Sequence, residues 1–343
     1  MLLTLCLFFF APLRETPRPG LYSSCPKHSP KEQKSIATRQ SLRPALVWIL
    51  LCCIWGSTWA FIKLGLRDLP PLTFAGIRFV IAVGLLVCIA YFRRARLPRN
   101  LEEWRMLAAT GVLQFAINYG LIFWGEKYIS SGLAALLQAT IPLFGLLIAH
   151  AYLPAEPLTF ARVCGVVLGL VGVCVIFSDQ LGLGDVWAVW GSAAIIVGAF
   201  AAAYSNVLVK ARGAKVDLSV MVAVQMCCGL VPLLIIALIK EGNPLAVRWT
   251  LAAIVSVVYL ALVGSVAAFM LYYWLVRNMD VTTTQLIALV TPVAAVIIGV
   301  IFLDERLNWR IALGGLLIFT GIGIIILRRR RKTARDVPET VNG

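Results

Sequence analysis

The sequence predicts an all-α integral membrane protein with ten transmembrane helices, arranged as two inverted repeats of five helices. Of its 343 residues, 60% are hydrophobic and 14% are charged, a balance far outside the range of soluble proteins. Apolar stretches of about twenty residues, the length that crosses a bilayer, recur along the chain. The second half also repeats motifs of the first, and an odd number of helices per copy requires the copies to be inverted.

Each predicted helix is an apolar window between charged or proline-containing connections. The first repeat covers residues 45–178 and the second covers residues 186–327. In the first repeat we expect helices at 45–66, 71–92, 104–125, 131–153 and 160–178. In the second repeat we expect helices at 186–208, 219–239, 250–275, 282–303 and 310–327.

The two ends of the chain differ from this membrane part. Residues 1–44 join a short apolar stretch to a segment rich in proline, serine and basic residues. We expect this segment to be either a disordered extension or the product of a start codon assigned too far upstream. We expect residues 328–343 to form a basic cytoplasmic tail whose arginines stop the last helix and contact anionic lipids.

The net charge of +15 is distributed as in a membrane protein. Apart from Arg78, the Lys and Arg of the connections and adjoining helix ends number 23 in one alternating set and 7 in the other. The positive-inside rule therefore predicts a multi-pass protein of the cytoplasmic (inner) membrane with both termini in the cytoplasm. This pattern explains the basic charge without a nucleic-acid partner.

Neither a metal nor another cofactor is expected. Seven of the nine cysteines lie in predicted helices, no C-x-x-C spacing occurs, and His28 and His150 are the two histidines. The cysteines are therefore interpreted as packing residues. The sequence also lacks H-E-x-x-H, G-x-S-x-G and P-loop motifs, so a membrane enzyme is the weaker alternative to a transporter and a channel or scaffold is the third.

The internal repeat is readable residue by residue. The matched positions are Ile141-Pro142-Leu143-Phe144 with Thr291-Pro292-Val293-Ala294, Gly165 and Gly172 with Gly314 and Gly321, Lys63 with Lys210, Arg78 with Gln225, and Trp124 with Trp274. Inverted duplication is typical of secondary transporters, whose substrate site lies near the membrane midplane between the repeats. The glycines predict close helix packing, either within one carrier or between two carriers in a homodimer.

Four motifs resemble those of a known family. They are Trp55-Gly56-Ser57, Leu69-Pro70-Pro71, the run from Tyr128 to Ala135, and the run from Leu303 to Leu307. With them the chain resembles the EamA-type carriers of the drug/metabolite transporter superfamily. The resemblance implies ten helices in two inverted EamA-like repeats, cytoplasmic termini, and movement of small metabolites, commonly outward. One departure is Leu153-Pro-Ala-Glu156, which replaces the usual Gly-Glu-Arg-Leu pattern and predicts a differently shaped loop.

Pro142 and Pro292 fall at the centres of the fourth and ninth predicted helices. Each proline removes a helix hydrogen bond and frees the carbonyl four residues earlier, at Gln138 and Ala288. A symmetric pair of breaks at mid-depth suits a substrate site between repeats. The alternative is a pair of packing kinks without ligand contact.

Uncharged polar side chains accompany these prolines. The candidate substrate-binding residues are Gln114, Asn118, Gln138, Pro142, Tyr204, Asn206, Gln285, Thr291, Pro292, Trp59 and Arg78. The amides and hydroxyls favour a hydrophilic cavity. The alternative is that they form structural hydrogen bonds between helices. Together with Arg78 they suit a small polar metabolite, with an amino acid as the first hypothesis and amphiphilic drugs as the second.

Arg78 lies about 10 Å inside the second helix, where a charge costs a few kcal/mol unless it is paired or hydrated. We expect it to bind a substrate carboxylate or to gate the cavity; snorkelling to the surface is the alternative. No carboxylate falls in the central third of the membrane. This favours a facilitator or exchanger over a proton-coupled pump, and Glu126, just past the third helix, is the candidate coupling residue.

Overall fold

The computed structural model describes residues 30–129, 131–176, 178, 186–243, 247, 249–294 and 309–335. Regular structure in these residues is entirely helical. In chain order the helices are α1 (Pro30–Gly65), α2 (Pro71–Phe92), α3 (Leu101–Gly125), α4 (Ser131–Gln138 and Ile141–Tyr152), α5 (Phe160–Ile176), α6 (Val186–Arg212), α7 (Leu218–Glu241), α8 (Leu251–Asn278), α9 (Val281–Ala294) and α10 (Trp309–Arg335).

Helix length and composition fit a membrane protein. Among the described residues, seven helices are long and apolar enough to cross a bilayer, namely α1, α2, α3, α4, α6, α7 and α8. The apolar parts of α5, α9 and α10 are shorter, at Phe160–Val175, Val281–Ala294 and Leu313–Ile325. The predicted all-α membrane fold is thus present, whereas ten crossings in inverted repeats stay a prediction.

The helix boundaries differ from the predicted ones mainly at the ends of the chain. α1 begins at Pro30 rather than near residue 45, because residues 31–43 are rich in the good helix formers Lys, Gln and Arg. Likewise α10 continues through the basic run to Arg335. Most of the predicted tails and the loop that contains Glu305 lie outside the described residues, at 1–29, 336–343 and 295–308.

Glycines bring α5 and α10 into backbone contact. A methyl group added to Gly165 would lie 2.6 Å from the Gly321 carbonyl oxygen, and one added to Gly172 would lie 2.5 Å from that of Gly314. Gly165, near the start of α5, meets Gly321 of α10, whereas Gly172, further along α5, meets the earlier Gly314. The two helices therefore run antiparallel. These four glycines are therefore used for packing within one chain.

Carboxylates cap two helices from distant parts of the chain. The buried Glu156 accepts hydrogen bonds from the backbone N–H groups of Val281 at 2.8 Å and Thr282 at 3.3 Å, at the start of α9. Glu241, the last residue of α7, accepts from Leu72 and Thr73 at the start of α2. Each carboxylate satisfies N–H groups that have no partner within their own helix.

Four helices depart from regular α geometry. α4 is interrupted by a turn at residues 139–140, just before Pro142, and α9 is interrupted at Leu286. α3 and α8 contain π-helical segments, at Val112–Asn118 and Leu262–Ala267, which begin 150 residues apart. Such segments are frequent at functional sites because they displace side chains from the regular helical face.

Candidate functional site

A cavity of about 110 Å³ lies among α1, α2, α3, α4, α6, α8 and α9, and so draws on both halves of the chain. This volume has room for several water molecules or a small ligand. Its lining comprises Trp55, Thr58, Trp59, Ile62, Arg78, Gln114, Asn118, Tyr119, Ile122, Gln138, Ile141, Ala202, Asn206, Phe269, Tyr272, Gln285, Ile287, Ala288 and Thr291. The lining therefore combines buried polar groups with a large apolar and aromatic surface.

Eight of the predicted site residues come together in this cavity. They are Trp59, Arg78, Gln114, Asn118, Gln138, Asn206, Gln285 and Thr291. Except for Trp59, each of these side chains is buried. The irregular segments help to place them, because Gln114 and Asn118 lie in the π-helical part of α3 and Gln138 is the last residue before the break in α4.

Two of these amides are hydrogen-bonded to each other. Nε2 of Gln138 donates to Oδ1 of Asn118 at 3.2 Å and to the carbonyl oxygen of Ile195 at 3.3 Å. These bonds tie α4 to α3 and α6. Part of the polar set therefore joins helices, which the sequence left as an open alternative.

Other polar atoms of the lining have no partner among the described residues. The buried donors without a partner are Nε1 of Trp55, Nη1 of Arg78 and Nε2 of Gln285. The buried acceptors without a partner are Oε1 of Gln114, Oδ1 of Asn206 and Oε1 of Gln285. Unsatisfied buried groups cost free energy and are uncommon in proteins, so their concentration around one cavity favours contact with water or a ligand.

Arg78 is 1% exposed and does not snorkel to the surface. Its Nε donates to Oγ of Ser265 at 3.0 Å, and Ser265 in turn donates to the carbonyl oxygen of Leu260 at 2.8 Å. The guanidinium carbon lies 4.8 Å from the ring centre of Phe79 and 4.9 Å from that of Tyr119. Cation–π contacts of this kind stabilise a desolvated arginine.

Aromatic rings from α1 and α8 form another wall of the cavity. Trp55 packs against Phe269 and Tyr272, with ring centres 5.7 Å and 5.1 Å apart. Phe269 is also 6.0 Å from Tyr119 of α3. This wall offers flat apolar surface on which the apolar part of a ligand can stack.

Three predicted site residues do not line the cavity. The hydroxyl of the half-buried Tyr204 lies 3.1 Å from that of Tyr152, and Tyr204 is not among the residues that line the cavity. Its neighbours Ser205 and Asn206 point to other faces because successive helix positions are about 100° apart. Pro142 and Pro292 are not among the lining residues, whereas the adjacent residues Ile141 and Thr291 are.

Some contributing residues were not singled out from the sequence. Phe269 and Thr58 line the cavity, and Ser265 holds Arg78. Ser265 lies in the π-helical segment of α8, at the position that the repeat pairs with Phe115 of α3. The repeat gave no signal for Ser265, because its counterpart Phe115 is apolar, and Phe269 resembles any other apolar helix residue.

Glu126 lies one helical turn beyond Ile122, a residue of the cavity wall, and directly after the end of α3. Its Oε1 is buried without a hydrogen-bond partner among the described residues. Burial raises the pKa of Glu126 to about 8, and the nearby charge of Lys63 opposes this rise only in part. Burial therefore favours the protonated form of this carboxyl group more than in an exposed glutamate.

Comparison with known families identifies the protein class. The model of the EamA-like transporter family matches residues 43–178 and again residues 189–327. The chain belongs to the EamA-like transporter family. This membership confirms the resemblance to the drug/metabolite transporter superfamily that the sequence motifs indicated.

Relatives of this EamA-like protein are named as transporters. The uncharacterized transporter YoaV of Bacillus subtilis is 30% identical over 274 residues, covering 80% of this chain and 93% of YoaV. The uncharacterized inner membrane transporter YedA of Escherichia coli is 32% identical over 254 residues, covering 73% of this chain and 79% of YedA. A third relative, named as a probable amino-acid metabolite efflux pump of Escherichia coli, is 26% identical over 304 residues, covering 87% and 99%.

A solved structure has the same fold. A crystal structure of a protein 20% identical in sequence matches with a TM-score of 0.70, covering 84% of this chain and 98% of that chain. The EamA-like protein is thus a multi-pass inner-membrane protein of a transporter family, with its polar cavity inside the helix assembly.

Proposed function

We propose that this protein is a secondary carrier that moves a small polar metabolite across the cytoplasmic membrane by alternating access. The cavity among α1, α2, α3, α4, α6, α8 and α9 is the substrate site. The observation that carries the proposal is the set of buried, unpartnered donors and acceptors that converge on this one cavity. A substrate that supplies the missing partners removes their desolvation cost while it is bound.

Several features support two inverted repeats of five helices. The family model matches twice, α5 and α10 run antiparallel through paired glycines, and π-helical segments occur at matching places in α3 and α8. Hydrogen bonds between the two halves also occur at equivalent places. Trp48 in the first helix of one half donates to the Thr283 carbonyl in the fourth helix of the other. The Ile195 carbonyl in the first helix of the second half accepts from Gln138 in the fourth helix of the first. Inverted repeats provide two related packings, which is the basis of alternating access.

The charge distribution supports the orientation. With 23 basic residues in one set of connections and 7 in the other, both termini lie in the cytoplasm. Residues 45–178 and 186–327 then form the two repeats, with the cavity near the membrane midplane between them. The tail at 328–343 lies at the inner surface.

An amino acid or a related small metabolite is the first substrate hypothesis. The amides, hydroxyls and arginine of the cavity match the polar groups of such a molecule, and one relative carries the name of an amino-acid metabolite efflux pump. Efflux of amphiphilic drugs is the second hypothesis. The wall of Trp55, Phe269 and Tyr272 favours it because this wall is apolar and aromatic.

A ligand screen with matched variants tests the proposal. Purified protein is heated with neutral amino acids, organic acids, sugars and amphiphilic cations, because a ligand that binds only the folded state raises the melting temperature. We expect small polar metabolites to stabilise the protein and Gln114→Leu to remove the effect without lowering the unliganded melting temperature. Stabilisation that survives both Gln114→Leu and Asn206→Leu would move the site elsewhere, and larger shifts from the cations would favour drug efflux.

A further inference from the structure

Arg78 carries the one formal charge among the described residues that line the cavity. Its side chain is 1% exposed, and the lining contains no Asp or Glu to balance it. A buried charge without a counter-ion is expensive in a low-dielectric environment. The protein therefore keeps a positive charge in its cavity at a cost in stability.

The surroundings of the guanidinium leave part of it available. The rings of Phe79 and Tyr119 lie within cation–π distance of the guanidinium. Its Nε donates a hydrogen bond to Oγ of Ser265. Nη1 has no hydrogen-bond partner among the described residues. A guanidinium with covered faces and an unpartnered Nη1 keeps a donor for the oxygen of a carboxylate.

The other half of the chain shows that packing at this position does not require a charge. Gln225 is the counterpart of Arg78 in the repeat and is also fully buried. Its Nε2 donates to Oγ1 of Thr110 at 2.6 Å, so a neutral amide of the second helix of one half meets a hydroxyl of the third helix of the other. Gln225 does not line the cavity. The charge at Arg78 is thus associated with the cavity rather than with the helix contact.

We propose that Arg78 forms an anion-binding subsite that holds the carboxylate, or an equivalent monoanionic group, of the transported molecule. This inference rests on the proposed carrier function and narrows its substrate class. The remainder of the ligand lies against the aromatic wall of Trp55 and Tyr272. A single positive charge selects molecules with one anionic group, including zwitterions, and disfavours simple cations.

Matched ligands test the subsite on the unaltered protein. The probes are 4-methylpentanoate and 4-methylpentanamide, which share a shape and differ in charge, together with L-leucine and L-leucinamide. Binding is followed by quenching of tryptophan fluorescence, since Trp55 and Trp59 line the cavity. We expect each acid to bind about tenfold to a hundredfold more tightly than its amide, the range of a charge-assisted hydrogen bond.

Variants then assign this preference to Arg78. Arg78→Gln should reduce the acid-to-amide ratio to near one, and Arg78→Lys should retain part of it because the charge remains without the planar fork. Arg67→Gln removes an equal charge from an exposed position and should leave the ratio unchanged. Because the ligand comparison needs no variant, misfolding of an Arg78 variant would not remove the test.

The outcomes separate the subsite from the carrier function. Equal binding of acid and amide, a preference that persists in Arg78→Gln, or failure of either acid to bind would overturn the subsite. Transport of the amides at the same rate as the acids would overturn it as well, but the carrier function would stand. Absence of saturable transport for every compound in the screen would overturn the carrier function itself.

Discussion

Nε2 of Gln138 donates a hydrogen bond to Oδ1 of Asn118 across 3.2 Å, which joins α4 to α3 at the wall of the cavity. Gln114, one turn before Asn118, lines the same cavity but leaves its Oε1 without a partner among the described residues. The three amides therefore have different roles. Asn118 and Gln138 hold helices together as well as facing the cavity, whereas Gln114 is free to meet a ligand.

This difference predicts different mutant phenotypes. Gln114→Leu should reduce transport at least tenfold with near-normal abundance, because it removes a polar amide whose Oε1 has no partner among the described residues. Asn118→Leu should reduce transport and also destabilise the protein by about 1–3 kcal/mol, because Gln138 loses a buried partner. Transport assays and thermal unfolding on the same preparations measure both effects. If Gln114→Leu lowers abundance as much as Asn118→Leu does, all three amides are structural.

Gly145 is predicted to control the position of Gln285. A methyl group at Gly145 of α4 would overlap the side-chain amide of Gln285 of α9. Gly145→Ala should therefore displace Gln285 from the cavity wall and reduce substrate affinity several-fold. Gly84→Ala is the matched control, since a methyl group there meets nothing within 4 Å. Unchanged affinity in Gly145→Ala would exclude Gln285 from the site.

The sequence predicted much of the helix pattern and most of the polar residues that line the candidate cavity, for identifiable reasons. Apolar windows located the helices, and the repeat drew attention to polar residues beside Pro142 and Pro292, of which Gln138 and Thr291 do line the cavity. The extension of α1 to Pro30 was missed because apolar windows do not detect a polar helix. Helical phase explains why Asn206 lines the cavity and Tyr204 does not: successive helix positions are about 100° apart, so the two side chains point in different directions.

Glu156 should be important for stability rather than for transport. Its carboxylate accepts three hydrogen bonds at the start of α9, from the N–H groups of Val281 and Thr282 and the hydroxyl of Thr282. We expect Glu156→Ala to lower the free energy of unfolding by about 1–3 kcal/mol and Glu156→Gln to lower it less. Glu102→Ala, which alters an exposed ion pair, should have little effect. Equal melting temperatures for the three variants would contradict this capping role.

Glu126 should give the protein a pH-dependent stability. Burial raises the pKa of Glu126 to about 8, above the ordinary value of about 4.3. The unfolded chain therefore releases this proton at lower pH than the folded protein does, and stability should fall as the pH rises from about 5 to about 8. Glu126→Gln should flatten this profile, whereas the exposed Glu102→Gln should not. Melting curves across this pH range measure the difference, and parallel profiles would contradict it.

Glu126 also provides a test of whether transport is coupled to a proton gradient. Since no carboxylate lines the cavity among the described residues, we expect exchange to proceed without a pH gradient. Glu126 lies at the edge of the cavity wall, one turn beyond Ile122. Substrate accumulation driven by an imposed pH gradient, and lost in Glu126→Gln, would overturn the exchanger prediction and assign coupling to Glu126.

The orientation predicts the location of both termini. Reporter fusions after Arg43 and after Arg335 should both give the cytoplasmic signal, because the basic connections face inward. A fusion in the connection after α3, at Lys127, should give the opposite signal. A periplasmic signal from either terminus would contradict the even number of crossings that inverted five-helix repeats require.

Counterflow in proteoliposomes tests alternating access most directly. Vesicles that contain the purified protein are loaded with an unlabelled ligand from the screen and diluted into a trace of the labelled compound, without an ion gradient. A carrier predicts saturable, transient accumulation of label that is absent from empty vesicles and strongly reduced by Gln114→Leu. Flux that does not saturate and shows no counterflow, or no flux at all, would contradict the assignment of this cavity to an alternating-access carrier.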